Sequence, residues 1–361
     1  MDRPGGVGRD RLWVPLMLDW IDRAAVETIG RGLTGPGPHA TKAERDELVA
    51  ELHHAAASVP ELIARTAELP ATAGTDDLRV LVVDRRRWVQ ANTRMSFSIL
   101  DRLGHPAAPR HLADRAAGGA RAVQLGGVLG LVSRRVLGQY DPFSPRPGLL
   151  LVAQNVLEVE RALKLDPSDF RVWVCLHEQT HRAQFLTAPW LVDHVVGLVA
   201  DVLDAEGQEN LSAVLQRVRG RLARGDGAGA NAEPSNGLVL DLASGPEARR
   251  AIDQLTAVMS LLEGHADVMM DLAAPEVIGT LAQIRARFEA RRGATGAGAR
   301  FGRLLGLDAK LAQYRDGAAF CRAVIHEAGL PGLNLVWQQP RNLPRRHELD
   351  DPRGWLRRVG G

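Results

Sequence analysis

Residues 177–181 read His-Glu-Gln-Thr-His, and this HExxH spacing is the one place where residue types and interval together point to chemistry. On an α-helix, His177 and His181 stand one above the other on the same face, where two imidazoles can converge on one zinc ion. Glu178 is turned about 100° away, so it can reach a metal-bound water without competing for the metal. Two histidines leave such a site incomplete. The extended pattern HExxHxxGxxH would supply a third, but Gln184 and Thr187 occupy the positions where it needs Gly and His. Further along, SLLEGHADVMMD holds Glu263 and Asp267 four residues apart. Glu263 is the favoured third ligand. Asp267, on the same face, is then expected to accept the second imidazole N–H of a ligating histidine. His265, about 200° around that helix from Glu263, is the rival ligand.

These residues need rigid carriers. Asp166 is a good N-cap, Pro167 fits the first helical position, Asp169 suits the first turn, and Pro189 marks a stop, so one long helix should carry HExxH. Ser244, Pro246 and Glu247 read as the capped start of a second long helix that carries Glu263. The apolar run LLLVAQN, residues 149–155, is the best strand candidate, and an edge strand there could pair with an extended substrate backbone. Periodicity predicts helices over 42–58, ended or kinked at Pro60, and over 76–103, with Trp88, Met95, Phe97 and Leu100 as an apolar stripe. The Gly-rich run 118–130 lacks dinucleotide-site order and reads as a closely packed helix or turn. The stretches 224–237 and 291–302 read as loops.

Composition limits the alternatives. The chain has 361 residues, 45% hydrophobic and 24% charged, which suits a globular protein with a sizeable core. Lys42, Lys164 and Lys310 are its only lysines, so 42 of the 45 basic residues are arginines, dispersed among 43 acidic ones. No basic stripe with interleaved aromatics exists, so no nucleic-acid partner is expected. The apolar stretch 188–203 carries Asp193, His194 and Asp201 and is a poor membrane span. The start MDRPGGVGRD has no apolar targeting core, and Cys175 and Cys321 lack CxxC spacing. A reducing cytoplasm with two buried, inert thiols is therefore expected. Met259, Met269 and Met270 read as core filling, and His53 and His54 as structural or solvent-facing.

Taken together, LLLVAQNVLEVER, WVCLHEQTHRAQF, SLLEGHADVMMD and LGLDAKLAQYRDGAAFCRAVIHEAGLPGLNLVWQQPRNLP resemble the zincin-like metallopeptidase family of bacterial proteins. Its members carry the labels hydrolase or deazaflavin-coenzyme-biosynthesis-associated protein. The resemblance spans residues 12–343. It implies a gluzincin-type HExxH...ExxxD site with His177, His181 and Glu263 on Zn²⁺ and Glu178 as general base, although Leu262 stands where an Asn often precedes the ligand Glu. The fold expected is mainly α with a small β element: a zincin-like core with an edge strand before the HExxH helix. Residues 1–140 would form an N-terminal helical region, 141–345 the zincin-like metal-binding region and 346–361 a surface tail, unless all belong to one domain. A second electrophile should stabilise the oxyanion, and the candidates are Tyr314, Tyr140 and His326, Tyr314 being preferred because LAQYRDG lies within the resembling segment. The expected function is zinc-dependent hydrolysis of a peptide or protein. The alternatives are an inactive zincin-like scaffold, and a helical di-iron protein suggested by a second ExxH, Glu51 to His54.

Overall fold

Short runs of β-branched and leucine residues make the sheet, and long amphipathic segments make the helices on its two faces. The computed structural model describes residues 20–69, 79–109, 111–203, 246–293 and 307–360, with the side chains of 246–248, 291–293 and 307–315 outside the description. In chain order, α1 (Arg23–Gly32), α2 (Lys42–Ser58) and α3 (Pro60–Thr66) precede β1 (Val80–Val83). Helices α4 (Arg85–Arg102) and α5 (Leu112–Val132) separate β1 from β2 (Gly138–Asp141), and β3 (Gly148–Val152) runs straight into α6 (Ala153–Leu163). Then come α7 (Pro167–Thr187), α8 (Trp190–Leu203), α9 (Pro246–Ala273), α10 (Leu281–Gly293), α11 (Leu307–Leu333) and α12 (Pro352–Gly360). The chain is mainly helical with one small sheet.

The sheet order is β1-β3-β2. β3 pairs parallel with β1 (Val80↔Leu149 to Val83↔Val152) and antiparallel with β2 (Gly138↔Leu151 to Asp141↔Gly148). All five residues of β3 are buried. This corrects the expectation that 149–155 is an edge strand: a run apolar at every position fits a central strand covered on both faces, and Ala153 already begins a helix. Among the described residues, the unpaired sheet edge near the motif helix belongs to β2. Alternation along the sheet divides the core, because successive strand residues point to opposite faces. Leu149 and Leu151 join α2, α3, α7, α9 and α11, whereas Leu150, Val152 and Val83 join Val26, Trp88, Val89, Phe97 and Leu129.

The helix expected over 76–103 is shorter. Residues 80–83 are β1, and Asp84 caps α4 by accepting from the Arg87 N–H at 2.6 Å. The prediction for 42–58 matches α2, and the Gly-rich run falls within the continuous helix α5. The stretch 224–237, Ser244 and residues 294–302 lie outside the described residues. Among those described, no single helix is long and apolar enough to cross a membrane.

The C-terminal residues are not a surface tail. Trp355 is fully buried, edge-on to Phe320 at 5.3 Å, and its Nε1 donates to the Asn342 carbonyl at 2.8 Å. Leu343 and Leu349 are buried with it. One large aromatic outweighs the prolines and charges around it, because burying it removes far more apolar area from water than its neighbours expose. Replacing Trp355 with Ala should therefore lower unfolding stability by about 3–5 kcal/mol in denaturant titration, against about 0.5 kcal/mol or less for a loose tail.

Candidate metal centre

α7 begins where its capping residues require. The Asp166 carboxylate accepts from the Asp169 N–H at 3.0 Å, and Pro167 occupies the first turn. Asp169 in turn accepts from the Thr280 N–H at 2.7 Å and its hydroxyl at 2.6 Å. Further along, Gln179 donates to the Ala56 carbonyl of α2 at 2.8 Å, which fixes the roll of the helix. With that roll set, two neighbouring stripes emerge from the 3.6-residue repeat. His177, His181 and Gln184 form one, facing α9; Glu178, Arg182 and Phe185 form the other, facing β2.

α9 brings Glu263 to the first stripe. Its approach depends on bare backbone: a Cβ on Gly264 would lie 2.1 Å from the Gly317 carbonyl carbon, and one on Gly317 would lie 1.8 Å from the Ser260 oxygen. α9 and α11 therefore touch backbone to backbone at the turn that carries Glu263. The His177 and His181 Nε2 atoms are 3.1 Å apart, and each is 3.5 Å from Glu263 Oε2. The circle through three points so spaced has a radius of about 2 Å, which matches the distance at which zinc holds imidazole nitrogen and carboxylate oxygen. Glu263 Oε2 is buried with no hydrogen-bond partner, so the donor set fits a cation. Among the described residues this trio is the one such cluster of His, Cys, Asp and Glu.

Charge reinforces the fit. Burial opposes ionisation of Glu263, but the neighbouring His177 and His181 outweigh it and hold the carboxyl well below its usual range. Burial likewise disfavours the His181 cation, yet Glu263 reverses the balance and pushes its pKa up to about 9. The cluster is thus short of positive charge.

The outer nitrogens of the two histidines are also held. His181 Nδ1 lies 3.0 Å from Gln184 Oε1, and His177 Nδ1 lies 3.3 Å from Met270 Sδ. The Gln184 amide nitrogen donates to the Leu262 carbonyl at 2.8 Å and to His265 Nδ1 at 3.0 Å. Because its NH₂ is thus engaged, its oxygen is left to accept the His181 Nδ1–H, which turns Nε2 toward Glu263. These are the contacts that sequence reasoning missed. Gln184 stands at i+3 from His181, and that spacing was the available signal.

The remaining candidates separate clearly. His265, the rival ligand, is fully buried against Trp337, ring centroids 5.0 Å apart; burial and then the His181 charge pull its pKa down to about 3. It supports Gln184 and does not join the cluster. Asp267 does not reach either histidine: its carboxylate takes an Arg322 guanidinium at 3.0 Å, and the place expected for it is filled by Gln184 and Met270. Asp267 is directed instead to α11, which carries Arg322. His326 is exposed, and the Tyr314 side chain lies outside the described residues. Tyr140 lies on β2, its ring 6.0 Å from Phe185. For the di-iron alternative, His54 is exposed and Glu51 is paired with Arg171, so that second ExxH is not a metal motif. Cys175 and Cys321 are buried free thiols, raised in pKa chiefly by burial.

Glu178 is buried beside the β2 edge. A Cβ at position 138 would lie 2.6 Å from Glu178 Cγ, so Gly138 makes the room the carboxylate needs. Burial raises the pKa of Glu178 above the ordinary value, although the charges of His177 and His181 oppose the shift. If Gln184 orients His181, Gln184→Leu should weaken zinc binding by about 10- to 100-fold in a chelator competition, with the fold intact by circular dichroism.

The crystal structure of "a putative hydrolase with a novel fold" from Chloroflexus aurantiacus is similar over 94% of this chain and 99% of that one, with 27% identity and a TM-score of 0.63. No curated protein matches the chain significantly. The model of the zincin-like metallopeptidases matches residues 21–356, nearly the whole described length, and the chain belongs to that family.

Proposed function

We propose that the protein is a zinc-dependent peptidase in which His177, His181 and Glu263 hold the metal and Glu178 is the general base. The observation that carries this reading is the position of a buried carboxylate, Glu178, between the His2Glu triangle and a free strand edge. A zinc ion held by the three side chains would polarise a carbonyl and acidify water. Glu178 takes the proton from the attacking water and returns it to the departing amine. Its burial suits both steps, because a carboxyl with a raised pKa accepts and releases a proton more readily near neutral pH.

The strand edge supports a peptide as substrate. The Val152 N–H bonds the Leu137 carbonyl at 2.8 Å, so in this register residues 137, 139 and 141 pair with β3. The backbone of Gly138 and Tyr140 then turns outward, and an extended peptide can add there as a further strand. Such pairing would lay a scissile amide across the helix stripe that carries Glu178.

Two measurements test the reading. Zinc should bind at one ion per chain, disappear in His177→Ala and Glu263→Ala, and persist in Glu178→Gln, which should lose about 10²- to 10⁴-fold in peptide hydrolysis. Zinc retained in Glu263→Ala, or unchanged turnover in Glu178→Gln, would overturn it. The second concerns pH. A base is inactive when protonated, so kcat/KM should fall as pH drops through the raised Glu178 pKa. The acid limb should thus lie above the ordinary 4.5 of a glutamate, and Glu178→Gln should remove it from any residual activity.

A further inference from the structure

Three arginines are buried among the described residues. Two are neutralised: Arg85 bonds Asn155 and pairs with Glu158, and Arg171 pairs with Glu160 and Glu51. The third, Arg182, is only 6% exposed, yet among the described residues its guanidinium has no ion pair and no hydrogen-bond acceptor. Burying an unpaired charge is strongly unfavourable, so such a group calls for an anion from outside. Its nitrogens are not sealed either: they are absent from the fully enclosed, unpartnered polar atoms, among which Arg346 Nη1 does appear. The titratable group acting on it is the Tyr140 phenol, whose hydroxyl also donates no hydrogen bond. Two unused donors, one on α7 and one on β2, therefore lie near one another beside Phe185, whose ring is 6.0 Å from that of Tyr140.

We infer that Arg182 and Tyr140 form a subsite for a substrate carboxylate beside the catalytic base. This deepens the peptidase reading and rests on it. Arg182 follows Glu178 by four residues, about 6 Å along the helix, on the stripe that faces β2. One extended residue spans about 3.3–3.6 Å, so the anion lies one or two residues from the bond that Glu178 serves. A guanidinium takes a carboxylate through two parallel N–H bonds, and the phenol adds a third donor. A free C-terminal carboxylate and an acidic side chain share this chemistry. The first would make the enzyme act near peptide C-termini, the second next to Asp or Glu.

The test is binding, so that it does not depend on turnover. Zinc-loaded Glu178→Gln protein is titrated by calorimetry with N-acetyl-Ala-Ala, with its C-terminal amide, and with N-acetyl-Ala-Glu amide. One of the two anionic peptides should bind about 10- to 100-fold more tightly than the neutral amide, and which one it is identifies the source of the carboxylate. Adding Arg182→Met should abolish the preference, and Arg182→Lys, which keeps the charge but not the fork, should retain part of it. Equal binding of all three peptides would overturn the inference, as would a preference that survives in Arg182→Met, since the metal would then be its source. An Arg182-dependent preference in a protein whose wild type cleaves no peptide would instead overturn the peptidase reading and leave the subsite standing.

Discussion

A buried carboxylate between two imidazoles is the interaction on which the rest of this structure depends. Glu263 Oε2 sits 3.5 Å from each Nε2 and has no other partner. Such a group is stable in the interior only when positive charge is supplied close by. The surroundings can be understood as means of holding three side chains at that spacing. Gly264 and Gly317 bring two helix backbones into contact, and Gln179 fixes the roll of α7 against α2. Gln184, anchored by Leu262 and His265, directs His181. Removing any of these would widen a triangle that has little tolerance, because metal–ligand bonds lengthen by only tenths of an ångström before they fail.

The same helix presents two different sets of side chains because its stripes diverge. His177, His181 and Gln184 look toward α9, while Glu178, Arg182 and Phe185 look toward the edge of β2. Rotation by about 100° per residue lets adjacent residues serve different neighbours without competing. The first stripe is rich in partners and held rigidly. Along the second, Glu178 is enclosed but near the open edge, and Arg182 is buried but unpaired. The asymmetry has a physical consequence, since groups already satisfied by the protein have nothing left for a ligand.

How much was legible in sequence follows from the range of each interaction. The capped start of α7 and the i, i+4 geometry of His177 and His181 are local, and they could be read with no knowledge of the fold. Glu263 was recognisable because ExxxD on a helix is a second local pattern. Its companion Asp267 was misassigned, because which neighbour fills the space behind a histidine is settled by packing between α7 and α9. Met270 looked like core filling, and it is core, but its sulfur also touches His177. The strand next to the site was misplaced for a related reason. LLLVAQN has the stronger strand signal because it is buried on both faces, whereas the edge strand GQYD is short and half-polar and gave little signal of its own.

The sequence by itself determined the two histidines of the cluster, the helix that carries them and the family to which the chain belongs. Each depends on spacing within a few residues, where backbone geometry leaves almost no freedom. Only the tertiary structure decided which strand borders the base, which side chains orient the ligands and which buried arginine lacks an anion. These depend on residues far apart in the chain, from Gly138 to Gln184 and from Leu262 to Gly317. Contacts of that kind come from the packing of whole elements, which no local pattern encodes.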